Sequence, residues 1–253
     1  HAMQAVGSAK ERSLLPLILD RFREPAYRPA AVKALQGFGT EAHGPLLDLL
    51  ENPGTSPDAK GQIPPLLLPD AGQASVRRLW ESLPSLEPTV RYPGLKALNK
   101  LRRDREDLSF QEFEPRELVR LELTLAARHL LALEDIRGDR GEKGDRNGVG
   151  NRNGGGTLLH SLLLQRVEEA AERAIRALAI RLPQEDLYAA FSALTSAQAV
   201  NRQRGFELLD ALLPQGYRTW LDPLLNPDAD PGNRAEAVAR TFGVKPLGRE
   251  AAL

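Results

Sequence analysis

The sequence has no cysteine, one methionine and only 5% aromatic residues, and its 34 basic side chains are balanced by 34 acidic ones. The absence of cysteine excludes disulfides, thiolate zinc sites, iron–sulfur clusters and cysteine nucleophiles. A net charge of zero argues against a dedicated nucleic-acid binder, which normally carries a basic excess. The longest apolar runs, such as residues 63–68, are far shorter than the ~20 residues of a membrane-spanning helix. These absences exclude several classes of function without indicating one.

The residues that are abundant favour helices. The chain holds 44 Leu and 32 Ala, against 5 Ile and 10 Val. Leucine and alanine lose little side-chain freedom in a helix, whereas strands favour β-branched and aromatic residues. The composition therefore predicts an all-α fold.

A degenerate repeat runs through both ends of the chain. Residues 28–35 match residues 91–98 at a separation of 63, and residues 59–66 occupy the same frame between them. Residues 202–209 fit the frame again, and residues 233–240 form a weaker copy. Because a helix pair of this size cannot bury its apolar face alone, such copies are typical of stacked helical repeats.

These copies resemble the HEAT-repeat family, in which the second helix of each pair begins near an arginine and continues into an apolar stripe. The residues that carry the resemblance are Arg28, Val32 and Ala34, then Arg91, Leu95 and Ala97, then Arg202, Phe206 and Leu208. The resemblance implies a HEAT-like α-solenoid, an alpha-alpha superhelix. Pro64 and Pro65 interrupt one copy, and we expect that repeat to be distorted because proline removes a backbone donor.

Two longer helices are predicted in the middle of the chain. One begins at Pro115 and continues to about residue 135, and the other begins at Thr157 and continues to about residue 182. Between them, residues 137–156 carry eight of the 21 glycines and are interpreted as a flexible, charged loop. The pattern predicts a long helical hairpin inserted between two blocks of repeats.

The sequence of the second long helix also predicts ion pairs within that helix. Its polar face places Glu169 four residues before Arg173 and Glu172 four residues before Arg176, which is the favourable order on a helix. We interpret these carboxylates as parts of a solvated, ion-paired face rather than as acid–base catalysts, which need apolar surroundings.

The predicted organisation has five parts. Residues 1–3 are interpreted as a cloning scar and residues 244–253 as a tail. Residues 4–136 hold the first HEAT-like repeats and the first long helix, residues 137–156 the loop, and residues 157–243 the second long helix and the last repeats.

No sequence motif of an enzyme is present. The chain lacks a nucleophile elbow, a phosphate-binding loop and a dinucleotide fingerprint, so we expect a non-enzymatic protein without a cofactor. One alternative is a metal-dependent enzyme, because the hairpin could bring His129 and His160 together with nearby carboxylates.

One basic strip is the candidate binding site. Lys96, Lys100 and Arg103 follow one helix face at i, i+4 and i+7, and Arg91 lies on the same segment. This basic strip, Arg91, Lys96, Lys100 and Arg103, would attract an acidic segment or a phosphate group. The alternatives are a solvated face balanced by Asp104 and Glu106, or a HEAT-like nucleic-acid-binding protein or DNA glycosylase.

A narrower resemblance rests on residues 94–103, 168–178, 182–191 and 201–213. They look like the HEAT domain that follows the membrane part of some bacterial ADP/ATP-translocase-like carriers. This implies a regulatory or docking scaffold on the cytoplasmic side, tethered to the inner membrane in a longer protein. Its expected partner is another protein or another domain of the same polypeptide. No nucleic acid is expected, and the chain itself is not expected to span a membrane.

Overall fold

The computed structural model describes residues 12–144, 154–226 and 231–245. All regular secondary structure in these ranges is helical, and they contain no strand. The predicted all-α class is therefore confirmed. The chain divides into two compact units, His1–Glu114 (unit 1) and Pro115–Leu253 (unit 2). This division differs from the predicted first block, 4–136, because the first long helix packs with the elements that follow it.

Unit 1 consists of short helices separated by proline, glycine and asparagine. Gly54 N donates to Asn52 Oδ1 at 2.8 Å, and Ser56 Oγ accepts from Ala59 N at 3.4 Å to begin the next helix. The helices are α1 Leu15–Arg23, α2 Arg28–Phe38, α3 Thr40–Glu51, α4 Pro57–Gly61, α5 Ile63–Leu67, α6 Gln73–Ser82 and α7 Pro88–Asp104, with 3-10 turns at Arg12–Leu14 and Leu83–Ser85.

These helices form two layers. Helices α1, α3 and α6 contact one another in succession and form the first-helix layer. Helices α2, α4, α5 and α7 form the second-helix layer, in which α5 contacts both α2 and α7. Buried apolar side chains fill the seam between the layers; they include Phe22, Leu35, Leu50, Leu79 and Leu98. The leucine surplus thus fills the space between stacked helices.

The repeat copy at residues 59–66 is distorted, as its prolines predict. Helix α4 ends at Gly61 and α5 begins at Ile63, with Gln62 between them. Pro64 and Pro65 lie in the first turn of α5, where their missing N–H groups cost no intrahelical hydrogen bond. Two short helices therefore lie where the repeat pattern predicts one continuous helix.

The arginines of the repeat frame play one structural role in unit 1. Arg28 donates from Nε to Phe22 O at 3.0 Å and from Nη2 to Arg23 O at 3.2 Å. Arg91 donates from Nη1 to Pro84 O at 3.4 Å. In both cases the guanidinium reaches carbonyls in the last turn of the preceding helical segment or just beyond it, where an intrahelical donor is missing. We call this contact the arginine clamp.

Unit 2 begins with two long helices and continues with two helix pairs. Its elements are α8 Arg116–Gly144, α9 Gly154–Leu178, α10 Gln184–Leu194, α11 Ala199–Leu212, α12 Gln215–Leu225 and α13 Pro231–Phe242. Helix α8 packs against α9 on one side and against α12 and α13 elsewhere, whereas α11 packs on α10.

Unit 2 repeats the arginine clamp. Arg202 donates from Nη1 to Ser196 O at 3.1 Å and to Ala197 O at 2.8 Å. The other clamps join Arg218 Nε to Leu213 O at 2.8 Å, Arg234 Nε to Pro223 O at 3.3 Å and Arg234 Nη2 to Leu224 O. The repeat frame singled out Arg202, while the clamp at Arg218 lies outside the copies recognised in the sequence.

The long helices extend into the predicted loop. The backbone is helical through Gly144 and again from Gly154. The interpretation of 137–156 as a loop is therefore wrong for residues 137–144 and 154–156. Extending an existing helix adds one hydrogen bond for each residue fixed, and the Arg, Glu and Lys residues of 137–144 are good helix formers. The rest of this segment, 145–153, lies outside the described residues, as do residues 1–11 and 246–253.

Candidate functional site

Helix α7 carries most of the predicted basic strip on the face opposite its core. Val90, Leu98 and Leu101 are buried on one side of the helix. Lys96, Lys100 and Arg103 are exposed, and at 100° per residue they lie opposite that buried face. We call these three residues the α7 cations. Because α7 is fixed by its apolar face, it holds three positive side chains in one direction.

Arg91 does not belong to this surface. Its side chain is buried, with 3% of its surface exposed, and its guanidinium forms the arginine clamp with Pro84 O. At 100° per residue, Arg91 falls on the core side of the helix rather than beside Lys96. This corrects the predicted strip of Arg91, Lys96, Lys100 and Arg103, in which Arg91 has a structural role.

A single carboxylate partly neutralises the α7 cations. Lys100 Nζ lies 2.5 Å from Asp104 Oδ2, and Arg103 Nε lies 2.9 Å from Asp104 Oδ1. Hydrogen bonds from Lys100 and then from Arg103 lower the pKa of Asp104. Lys96 instead places its ammonium over the ring of Tyr92, 5.4 Å from the centroid. The balance expected from Asp104 is therefore present, but it covers Lys100 and Arg103 rather than Lys96.

The segment after α7 is fastened to α6. Gln73 and Ser109 exchange two hydrogen bonds of 2.8 Å, one from Gln73 Nε2 to Ser109 O and one from Ser109 N to Gln73 Oε1. Phe113 stacks on Trp80 with a centroid distance of 5.4 Å. These contacts hold the end of α7 in place. Sequence reasoning missed them, because the paired residues are more than 30 positions apart.

The hairpin histidines do not meet. Glu122 of α8 pairs with Arg173 of α9, which sets an antiparallel register that places His129 opposite Arg166. His160 lies six residues farther along α9, about 9 Å at 1.5 Å per residue. Within the described ranges, no group of three or more His, Cys, Asp or Glu side chains is arranged to hold a metal ion. The alternative of a metal site between His129 and His160 gains no support from this geometry.

His129 instead lies in a cationic environment. Its pKa is lowered, first by burial and then by the positive charges of Arg166 and Arg173. Glu169 acts against this shift but is itself engaged by Arg166, whose Nη1 lies 3.0 Å from Glu169 Oε2. The lowered pKa favours the neutral form of the imidazole.

The predicted ion pairs of α9 are half correct. Arg176 pairs with Glu172 at 2.6 Å, as the sequence indicates. Arg173, however, does not pair with Glu169 on the surface: its Nε lies 2.9 Å from Glu122 Oε2 in the interior of unit 2. The i, i+4 pattern could not show this, because Glu122 is 51 residues away in sequence.

A buried histidine, His43, was not predicted as a candidate residue from the sequence. His43 on α3 is 4% exposed, and its Nδ1 lies 3.4 Å from Ser75 Oγ on α6. Its Nε2 is buried without a hydrogen-bond partner among the described residues. Burial lowers the pKa of His43, against a smaller opposing effect of Asp70. The residue is best explained as a neutral histidine in the core of unit 1.

The chain matches no protein-family model, no curated protein and no solved structure. Among the described helices, none combines the length and the apolar character that crossing a membrane would require.

Proposed function

We propose that the protein is a non-enzymatic interaction scaffold, built as a HEAT-like α-solenoid with an inserted helical hairpin. Support comes from the two layers of unit 1 and from the arginine clamps. Four of the five clamp arginines, Arg28, Arg91, Arg202 and Arg234, belong to the repeat copies found in the sequence. Arg28, Arg91 and Arg202 hold the first position of their copies and Arg234 the second. Similar contacts at matching or adjacent frame positions are what stacked repeats produce.

The proposed docking surface is the outward face of α7. The observation that carries it is the common direction of Lys96, Lys100 and Arg103 on a helix whose opposite side is buried. A row of like charges on a rigid element attracts an oppositely charged partner and accelerates its encounter. The partner is therefore an acidic region of another protein or of another domain of the same polypeptide.

Fluorescence anisotropy with a labelled polyglutamate peptide of about nine residues tests this function. We expect salt-dependent binding that the double reversal Lys96→Glu and Lys100→Glu abolishes, because exposed charges are screened by salt. Arg204→Glu, which reverses an exposed charge on α11 in unit 2, serves as the control. Equal binding by wild type and the double variant would overturn the proposed docking surface.

A short DNA duplex in the same assay decides the nucleic-acid alternative. Backbone contacts to DNA give an affinity that falls steeply with salt concentration. If the duplex binds at low salt and the peptide does not, the nucleic-acid hypothesis replaces the scaffold. We expect the peptide to bind more tightly, because the α7 cations form one short row and the chain has no net positive charge.

We also propose that the scaffold serves on the cytoplasmic side of a membrane, as the resemblance to translocase-like carriers implies. The support is the set of sequence segments at residues 94–103, 168–178, 182–191 and 201–213, all of which are helical in large part. The gene that encodes this chain provides the test. Several apolar segments of about 20 residues in the same reading frame would support the proposal, and a frame without them would contradict it.

A further inference from the structure

Lys33 on α2 is the counterpart of Lys96 on α7 in the repeat frame. Lys33 lies five residues after Arg28, and Lys96 lies five residues after Arg91. Both arginines donate to carbonyls of the preceding helical segment, so each lysine follows a similar anchoring contact at the same spacing. Both lysines are exposed, while Ala34 and Leu35 on α2 turn to the core. The outward direction of the α7 cations is thus repeated two helices away.

The two lysines are connected through one layer of helices. Helix α5 contacts both α2 and α7. Two steps of 8–10 Å between packed helix axes place the axes of α2 and α7, which carry Lys33 and Lys96, up to about 20 Å apart. An extended peptide advances about 3.3 Å per residue, so roughly six residues span that distance.

Charge is distributed unequally between the two layers of unit 1. Helices α2, α4, α5 and α7 carry eight basic and two acidic side chains, a net charge of +6. Helices α1, α3 and α6 carry four basic and five acidic side chains, a net charge of −1. The zero net charge of the whole chain therefore conceals a cationic second-helix layer.

We propose that the second-helix layer of unit 1 binds an extended acidic peptide segment that crosses α7, α5 and α2. The inference rests on the proposed docking function of α7 and extends it to Lys33. A compact anion such as phosphate would engage the α7 cations alone, because it cannot span 20 Å. An extended acidic segment engages both ends of the layer, and its length becomes a determinant of its affinity.

A peptide length series on the full chain tests this inference. Labelled polyglutamates of three and nine residues are titrated by anisotropy at low salt against wild type, Lys33→Glu and the Lys96→Glu, Lys100→Glu double variant. We expect Lys33→Glu to weaken the nine-residue peptide about threefold to tenfold and to leave the three-residue peptide unchanged. We expect the double variant to weaken both peptides. Arg204→Glu should change neither, and circular dichroism checks that each variant is folded.

The outcomes separate the two proposals. If the double variant weakens binding while Lys33→Glu has no effect on the nine-residue peptide, the extended site is overturned and the docking function of α7 stands. If neither variant changes binding, both are overturned. Lys33→Arg, which keeps the charge, should bind the nine-residue peptide as wild type does; a loss equal to that of Lys33→Glu would show that charge is not the cause and would overturn the extended site.

Discussion

Glu122 on α8 and Arg173 on α9 form an ion pair of 2.9 Å in the interior of unit 2, with side-chain exposures of 0% and 8%. The pair helps to fix the register of the two long helices, because its side chains come from different helices and meet at one position in the interior. Burial of a charge costs desolvation free energy, which the opposite charge of the partner offsets. Loss of either partner would leave an uncompensated buried charge.

Removal of one partner should be strongly destabilising. We expect Glu122→Gln to lower the free energy of unfolding by roughly 3–5 kcal/mol, since it leaves Arg173 buried without a countercharge. Replacement of both residues, Glu122→Leu with Arg173→Met, should cost much less. Urea denaturation checks both variants. Glu172→Gln, which breaks the more exposed pair with Arg176, is the control and should cost about 1 kcal/mol or less. A loss for Glu122→Gln no larger than this would contradict the buried pair.

Acid should destabilise the protein through His43 and His129. The pKa of each is lower in the folded protein than in the unfolded chain, mainly because of burial. Their unfolded forms therefore bind protons first, and the stability is lost as pH falls below about 6.5 toward the folded pKa values. We expect the melting temperature to fall between pH 7.5 and 5.5, and to fall less in His43→Leu. An unchanged pH dependence in His43→Leu and in His129→Leu would contradict this prediction.

Gly205 should be intolerant of any side chain. A Cβ at this position of α11 would lie 2.5 Å from Leu194 N and 2.7 Å from Ala190 O, both backbone atoms of α10. We expect Gly205→Ala to destabilise unit 2 by about 1–3 kcal/mol, although alanine favours the helix itself. Gly44→Ala on α3 is the matched control: a Cβ there meets nothing within 4 Å, so the change should be neutral or stabilising. Equal changes in melting temperature for the two variants would contradict the close approach of α11 to the backbone of α10 at Gly205.

The arginine clamp should be worth a similar energy wherever it occurs. Hydrogen bonds from a charged donor contribute about 1.5–3 kcal/mol, so we expect Arg28→Met and Arg202→Met each to destabilise by roughly that amount. Arg204→Met, which removes an exposed arginine two residues from Arg202, is the control and should be close to neutral. Urea unfolding curves measure all three. If Arg202→Met were as mild as Arg204→Met, the clamp would not be a stabilising element.

The sequence predicts the local features of this fold well. The Leu and Ala surplus, the interruption at Pro64 and the Glu172–Arg176 pair all follow from helix propensity and spacing within one helix. Arg28 and Arg202 were recognised by their frame, although their clamps to backbone carbonyls become visible only in the structure.

Long-range relationships explain what the sequence could not predict. From its spacing to Lys96, Arg91 was predicted to be a surface charge. Spacing along the sequence does not show which helices pack against α7, and Arg91 is buried there. Arg173 has a favourable neighbour at Glu169, and only the antiparallel packing of α8 and α9 reveals Glu122 as its partner. The α7 cations were predicted from their spacing along one helix. Their partial neutralisation by Asp104 also involves residues within four positions of one another.

The most direct test of the docking function is the affinity of Asp104→Asn for the nine-residue polyglutamate. Asp104 competes with an acidic partner for Lys100 and Arg103, and its removal leaves both cations available. Fluorescence anisotropy at low salt should show tighter binding than wild type, by about threefold, because the variant no longer offers Lys100 and Arg103 a competing carboxylate and exposed charges are least screened at low salt. Asp20→Asn on α1 makes the same charge change in the first-helix layer and should leave the affinity unchanged. Equal affinities for Asp104→Asn and wild type would contradict an acidic partner on α7.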